Sequence, residues 1–411
     1  MFPAASLLTT LLLALSIAAT PVEVRSSHVT LPFAKRVNTA GGAINLVEHD
    51  QARVAALKDR AAAIQSGQLD RRTASIAVTN EAVSYVAAVG VGSPATTYDL
   101  IVDTGSSNTW VGAGTAYVKT STSKDTGEPV SVSYGSGSFA GEEYLDTVTL
   151  GSGLTIPQQS IGVATTSTGF SGVDGILGIG PLDLTEGALT NEPSATIPTV
   201  TGNLYTQGTI AQAVVGVFFA PTTTETSTNG ELTFGGVDTS KYTGTLTYTP
   251  LTTTSPASYY WGINESVSYG STTILSSTAG IVDTGTTLIL LASNAYSKYQ
   301  TATGAKLDST TGLLRLTTTQ YSSLQNLNFN IGSVTYALTP NGQIWPRSLN
   351  TYIGGTSTSI YSIINSIGTP SGEGLDFING QTFLERFYSV FDTTNSRIGF
   401  ATTAYTTATT N

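Results

Sequence analysis

The chain reads IVDTGSSNTW from Ile101 to Trp110 and IVDTGTTLIL from Ile281 to Leu290. Asp103 and Asp283 stand in the same frame, 180 residues apart (283 − 103). Each follows a β-branched pair, Ile101-Val102 or Ile281-Val282, and each precedes hydroxyl residues, Ser106-Ser107 or Thr286-Thr287. Such an apolar run reads as a buried strand. A carboxyl group at the end of a buried strand costs free energy unless it is paired or hydrogen-bonded. Two of them in matching frames ask for one joint explanation. A third Asp-Thr-Gly, at Asp125 in STSKDTGEPV, has polar flanks and a Pro just beyond, and reads as a surface turn.

Composition narrows the chemistry. There is no Cys in the 411 residues, which removes thiol nucleophiles, thiolate metal sites and disulfides. A chain of this size can bury enough surface to fold without disulfides. Residues 1–19 are predicted to be a secretory signal: Leu7 to Ala19 is a short apolar run ending in small residues, although no Lys or Arg precedes it. The protein is therefore expected to be secreted and soluble, with no membrane span.

Charge divides the remainder. From Pro21 to Arg72 there are 8 Lys/Arg and 5 Asp/Glu, a net of +3. The remaining 9 basic (17 − 8) and 22 acidic (27 − 5) residues leave a net of −13 from Thr73 onward. The early segment contains both histidines, His28 and His49, and an Ala-rich helical stretch, QARVAALKDRAAAIQ, and it ends at the dibasic pair Arg71-Arg72. It is predicted to be a removable prosegment, residues 20–72; a charged leading helix of the folded domain is the plainer alternative. The acidic, charge-poor body argues against nucleic acid or anionic membranes as partners.

With neither His nor Cys, the body cannot assemble a Ser-His-Asp triad, a Cys-His pair or an imidazole zinc site. SYGSGSFAGE is Gly-rich, but it has no Lys and opens no helix, so it is a poor phosphate cradle. No cofactor and no metal are expected. Carboxylates, hydroxyls and water must supply any chemistry.

Turn signals and short apolar runs alternate along the body, as in YVAAVGVG, YDLIVDTG and GELTFGGVD. Helices are few: SNAYSKYQTATG, with Ser293 as N-cap and Gly304 beyond its end, and TQYSSLQNL. The fold class is all-β, in two similar lobes, residues 73–245 and 246–411, with one Asp-Thr-Gly strand in each and a cleft between them. Val130 to Leu150 reads as a β-hairpin with its tip at Gly135-Ser136-Gly137. Tyr134 beside that tip is either core filling or part of a lid over the cleft.

Two carboxyl groups brought face to face cannot both ionise easily, and they share one proton. A water between them can be deprotonated by the ionised Asp while the protonated Asp hydrogen-bonds a peptide carbonyl oxygen. Each lobe would supply one acid, which accounts for the repeated phrase. Gly105 and Gly285 would let backbone N–H groups approach the carboxylates. Ser106 and Thr286 would hydrogen-bond their outer oxygens, and Thr104 and Thr284 would donate across the junction.

Five phrases occur in order: IVDTGSSNTWV, SYGSGSFAG, DGILGIG, GIVDTGTT and FYSVFDTTNSRIGFA. Over essentially all of Thr73–Asn411 the chain resembles the pepsin-like aspartic endopeptidases. That resemblance implies catalytic roles for Asp103 and Asp283, a flap carrying Tyr134 able to hydrogen-bond toward Trp110, an inhibitory prosegment and an acidic working pH. It implies protein or peptide substrates, cut beside large hydrophobic residues, with Ile101, Trp110, Tyr134, Gly135, Ser136 and Phe139 at the flap and binding pocket. A monomer is expected. Two features depart from the family pattern. Disulfides are missing, and the second-lobe motif that usually reads apolar-apolar-Gly is Ile378-Asn379-Gly380 here, so Asn379 needs a hydrogen-bond partner within its lobe.

Two other classes remain. One is an inactive fold of the same type that binds a partner, although such folds usually lose an Asp, the flap aromatic or the following hydroxyl. The other is a carbohydrate-binding β protein, suggested only by the Ser/Thr surface and 19 Tyr. Proteolysis of an unfolded protein at acid pH separates all three. Asn264-Glu265-Ser266 is the single N-x-[ST] sequon identified, so Asn264 is either glycosylated or part of an unmodified loop.

Overall fold

Alternation and β-branching place strands where the sequence predicts them. Thr96–Asp103 carries YDLIVD and ends on the first Asp, and Thr272–Val282 ends one residue before the second. The computed structural model describes residues 28–38, 42–67, 83–135, 137–151 and 154–410. The predicted signal, the dibasic pair, the start of the body at Thr73 and the flap-tip Ser136 lie outside these residues.

The described strands form sheets of 13, 7 and 3 strands. In the largest, Val83–Val91, Thr96–Asp103, Gly175–Gly178 and Thr109–Val111 lie side by side and continue into the hairpin of Lys124–Ser133 and Ser138–Leu150. Its other end gathers Val214–Phe218 and Thr226–Phe234 with the C-terminal strands Phe387–Asp392 and Arg397–Thr402, so one sheet joins both halves of the chain. The 7-stranded sheet belongs to the second half and contains Gly262–Tyr269, Thr272–Val282 and Phe377–Asn379 as consecutive neighbours.

Each Asp strand meets a short parallel partner. Val102 and Asp103 pair with Leu177 and Gly178, and Ile281 and Val282 pair with Ile378 and Asn379. Strands with neighbours on both sides bury both faces and hold their ends rigidly.

The early segment is built into this frame. Val29–Val37 inserts between Thr226–Phe234 and Val83–Val91, at the middle of the large sheet. Sequence reading missed this strand, partly because Pro32 argues against a central position. The structure accommodates it because pairing with Val83–Val91 begins only at Phe33, so the missing N–H of Pro32 is not needed on that side.

The predicted helix is longer at its start than the reading gave: it runs Leu46–Ser66, capped by the Asn45 side chain, which accepts from Glu48 N, and closed by Gly67 at φ +63°. The helix Ser293–Thr303 ends at Gly304 as expected, but Ala292 takes the cap position and Ser293 is already helical. The second predicted helix shortens to Thr318–Ser322, where Thr317 and Gln320 form a capping box. No helix among the described residues is long and apolar enough to cross a membrane.

Candidate active site

The ends of the two Asp strands meet with approximate twofold symmetry. Thr104 N donates to Thr284 Oγ1 at 3.0 Å and Thr284 N donates to Thr104 Oγ1 at 2.9 Å. Each hydroxyl then donates to the opposite strand, Thr104 Oγ1 to Val282 O at 3.3 Å and Thr284 Oγ1 to Val102 O at 2.8 Å. All four bonds are buried, where an unmade bond costs about 1–3 kcal/mol per group.

The carboxylates are held alike. Gly105 N donates to Asp103 Oδ1 at 2.9 Å, and Gly285 N to Asp283 Oδ1 at 3.1 Å. The outer oxygens accept from hydroxyls: Ser106 Oγ reaches Asp103 Oδ2 at 2.5 Å and Thr286 Oγ1 reaches Asp283 Oδ2 at 2.6 Å. A Cβ on Gly105 would lie 2.7 Å from Asp283 Oδ1, and one on Gly285 would lie 2.7 Å from Asp103 Oδ1. Each glycine therefore makes room for the other half's carboxylate. Both aspartates are buried.

A cation from the early segment sits between them. Arg53 Nη2 donates to Asp103 Oδ1 at 2.5 Å and to Asp283 Oδ1 at 2.9 Å, while Nε donates to Asp283 Oδ2 at 2.7 Å. Burial pushes the Asp283 carboxyl up, but the Arg53 charge and hydrogen bond, helped by Thr286 and Gly285, outweigh it and hold it below its ordinary range. In the other direction, burial disfavours the guanidinium charge and the two carboxylates more than reverse that. The forked guanidinium suits this bridging geometry.

The helix carrying Arg53 is fixed at several further points. The Asp50 carboxylate accepts from Thr287 N at 3.2 Å and Leu288 N at 2.8 Å, directly after the second Asp motif. His49 Nδ1 lies 3.1 Å from Asp50 Oδ1. Tyr260 OH donates to Leu57 O at 2.7 Å, Lys58 Nζ to Thr369 Oγ1 at 2.7 Å, and Arg60 Nη2 to the carbonyls of Leu184 and Glu186. The segment thus lies along the whole junction.

Over it folds the predicted hairpin. Tyr134 N donates to Gly137 O at 2.7 Å, closing the tip. Gly135 lies so close to the helix that a Cβ there would fall 2.6 Å from Ala52 O and Arg53 N. Tyr134 is buried, its ring 6.5 Å from that of Trp110 at 24°. The hydrogen bond implied between them is not made in this structure: Trp110 Nε1 has no hydrogen-bond partner among the described residues. Trp110 instead stacks on Phe139 at 4.3 Å and meets the edge of Phe170 at 4.7 Å.

A small cavity beside the dyad is lined by Arg53, Ile101, Asp103, Tyr134, Ile176 and Gln381, among others. Ile101 and Tyr134 are therefore brought to it, whereas Phe139 lies beneath Trp110 and does not line it. Sequence reading missed Arg53, Asp50, Phe170, Ile176 and Gln381. For Arg53 a signal existed: Leu46, His49, Asp50, Val54, Leu57 and Ala61 form one buried stripe at helical spacing, and Arg53 falls within it. Asn379 finds the partner it needs, since its Nδ2 donates to Glu265 Oε2 at 2.7 Å. Asn264 is exposed, with its Oδ1 accepting from Thr252 Oγ1 at 3.0 Å.

Known proteins give the same picture. The sequence profile described as eukaryotic aspartyl protease matches residues 84–403. The chain is 67% identical to polyporopepsin of Irpex lacteus over 338 residues, covering 82% of this chain and 99% of that protein. It is 32% identical to gastricsin of Cavia porcellus over 358 residues, covering 81% and 85%. The crystal structure of aspartic proteinase from Irpex lacteus superposes with a TM-score of 0.80 at 59% identity, over 93% of this chain and all of that one.

Proposed function

The chain belongs to the eukaryotic aspartyl protease family and is an aspartic endopeptidase with a bilobal fold; from that premise we propose that Asp103 and Asp283 are its catalytic pair. The observation that carries the assignment is the matched suspension of the two carboxylates across the reciprocal Thr104–Thr284 clasp, with a single cation spanning both.

With Arg53 withdrawn, the pair keeps one proton. The ionised member takes a proton from a bound water, whose oxygen attacks the peptide carbonyl carbon. The protonated member gives its proton to the carbonyl oxygen, forming a tetrahedral diol. Collapse of the diol breaks the C–N bond. The amine leaves with the proton taken from water, and a diol hydroxyl returns one proton to the pair. Thr104, Gly105, Ser106, Thr284, Gly285 and Thr286 position the carboxylates. Tyr134, Gly135 and Ser136 form the flap, and Ile101 and Trp110 support the apolar pocket. Phe139 acts from below, through Trp110.

Residues 20–72 act as the inhibitor, and Arg53 occupies the place of the catalytic water. Burial of Arg53 between both acids supports this reading, as does closure of the hairpin on its helix. Activity is confined to acid pH, in a secreted monomer cutting beside large hydrophobic residues. The apolar run at Leu7–Ala19 supports secretion, and the apolar wall of Ile101, Tyr134 and Ile176 supports the preference. The lobes divide near residues 245 and 246. Asn264 is a glycosylation site, supported by its exposure.

The decisive experiment uses Asp103→Asn and Asp283→Asn. Each is expected to retain the fold and to lose peptide hydrolysis by about 10²–10⁴-fold or more, the usual range for removing an acid–base group. Near-normal turnover in either purified variant would sink the assignment.

A further inference from the structure

Behind the second aspartate lies a polar pair that plays no part in the scheme above. Glu265 sits mid-strand in Gly262–Tyr269, and Asn379 ends Phe377–Asn379. Between these two strands runs Thr272–Val282, the strand that leads into Asp283. Glu265 and Asn379 are both essentially inaccessible, at 1% and 0% exposure. Asn379 Nδ2 donates to Glu265 Oε2 at 2.7 Å. The two remaining atoms of the pair, Glu265 Oε1 and Asn379 Oδ1, are buried and lack any hydrogen-bond partner among the described residues.

If Glu265 were a carboxylate, both leftover atoms would be acceptors, each unsatisfied in a dry interior. One added proton resolves both. A carboxylic acid O–H on Oε1 can donate to Asn379 Oδ1 while Oε2 accepts from Nδ2, closing a ring of two reciprocal bonds. We infer that Glu265 is held as a neutral carboxylic acid in a two-bond pair with Asn379, and that this pair positions Asp283 for peptide hydrolysis.

The connection to the site is direct. The Asn379 carbonyl accepts from Asp283 N at 3.1 Å, and Val282 pairs with Asn379 in parallel register. The pair therefore clamps the two strands that flank the one carrying the second aspartate. Burial drives the Glu265 carboxyl up to about 8, opposed only by the Asn379 bond. Among the described residues packed around the pair there is no compensating charge. Thr272–Val282, Ile289–Leu291, Leu327–Ile331, Phe377–Asn379 and Gln381–Leu384 carry no titratable residue, and the turn Ala257–Tyr259 contributes only Tyr259. Of the flanking acids, Asp283 is held by Arg53, and Asp376 by Thr278 Oγ1 and by the N–H groups of Gly372 and Glu373.

The test has two arms. In the infrared arm, spectra of the purified protein and of Glu265→Gln are compared across pH. The dyad and Glu143 contribute to both proteins and cancel. The difference is expected to contain the C=O band of a protonated carboxyl at pH 6 and to lose it on titration through about 8. No such band at pH 6 would mean that Glu265 is ionised, and it would overturn the inference. In the kinetic arm, Glu265→Ala is expected to lower kcat at acid pH about tenfold or more with KM nearly unchanged, because it loosens Asp283 without touching the substrate. Glu265→Gln, which keeps a neutral partner for Asn379, should recover most of that loss. Unchanged kcat in Glu265→Ala, or no recovery in Glu265→Gln, would overturn the positioning role. Should Glu265→Ala fail to fold, the infrared arm and the kcat of Glu265→Gln still decide. This role rests on the Asp103–Asp283 assignment, but the infrared arm does not, so the two can fail separately.

Discussion

At the residue scale the site sets one guanidinium against two acids. Arg53 holds Asp283 below its ordinary range, so the ion pair is fully formed above about pH 4 and is lost as pH falls through the lowered value. Arg53→Gln removes the charge and keeps the helix. Its uncleaved precursor is expected to hydrolyse a small peptide at pH 5 at least about tenfold faster than the unaltered precursor, with mass spectrometry confirming that the segment is intact. Equal silence in both would show that other contacts of the segment suffice. The clasp is testable in the same way. Thr284→Val strips the acceptor from Thr104 N and the donor from Val102 O, both buried. It is expected to cost about 2–6 kcal/mol in denaturant unfolding, since each of the two orphaned groups costs about 1–3. A loss below 1 kcal/mol would deny the clasp its structural weight. Both halves of this arrangement differ in legibility. The aspartates, glycines, hydroxyls and threonines could be read because their roles follow from neighbours within three residues and from the repeat itself. Arg53 and Glu265 are harder to read, because their partners lie 50 and 230 positions away for Arg53 and 114 away for Glu265; the buried helical stripe marks Arg53 as inward-facing but not what it meets.

At the element scale the early segment does more than place Arg53 between the two acids. Val29–Val37 is a central strand, and Lys35 within it is 1% exposed. Its Nζ lies 2.5 Å from Glu385 Oε1, which also accepts from Tyr85 OH at 2.5 Å. Breaking a buried ion pair from one side costs about 3–5 kcal/mol, because the other charge is left uncompensated. Lys35→Met is therefore expected to destabilise the precursor by that amount at pH 7. Lys35→Met with Glu385→Gln should recover part of it, since the amide oxygen still accepts from Tyr85. Equal instability of the single and double variants would refute the ion-pair account. The hairpin supports a different prediction. Its tip residue, Ser136, lies outside the described residues, but its neutrality bears on specificity. A substrate Lys beside the flap would lose hydration and gain no ion pair. Peptides with Phe or Leu before the cut bond should be cleaved well ahead of the Lys peptide, and Ser136→Asp should narrow that gap. Equal cleavage of Lys and Leu peptides by the unaltered enzyme would contradict it. The strands around both aspartates were readable from alternation and β-branching. Val29–Val37 was not, because Pro32 masks a strand whose fit depends on where pairing with Val83–Val91 begins.

At the scale of the whole molecule, acid is expected to act in opposite senses on the early segment and on the two lobes. It would weaken the Arg53 contact through Asp283, yet favour the lobes beneath. Each lobe buries an isolated carboxyl group. Burial pushes Glu143 up to about 7, with only Ser160 Oγ, at 2.6 Å, opposing it, and pushes Glu265 up to about 8. An unfolded chain releases these protons near pH 4.5, whereas the folded chain keeps them. Between those values the folded state binds more protons, so stability falls as pH rises. The contribution is complete below about 4.5, declines from there, and is fully lost above about 8. The enzyme freed of its segment should show this most clearly, because it lacks the opposing Arg53 contacts. In an Asp103→Asn background, which prevents self-digestion, the melting temperature of the freed form should fall steadily from pH 4.5 to 8. Glu143→Gln with Glu265→Gln should flatten that decline, because an amide keeps a hydrogen-bonding partner but has no proton to lose. Parallel declines in the two proteins would place the pH sensitivity elsewhere. A flattened one would mean that the buried carboxyl groups make the folded lobes more stable toward acid, over a range that lies above the acidity that loosens Arg53 from Asp283.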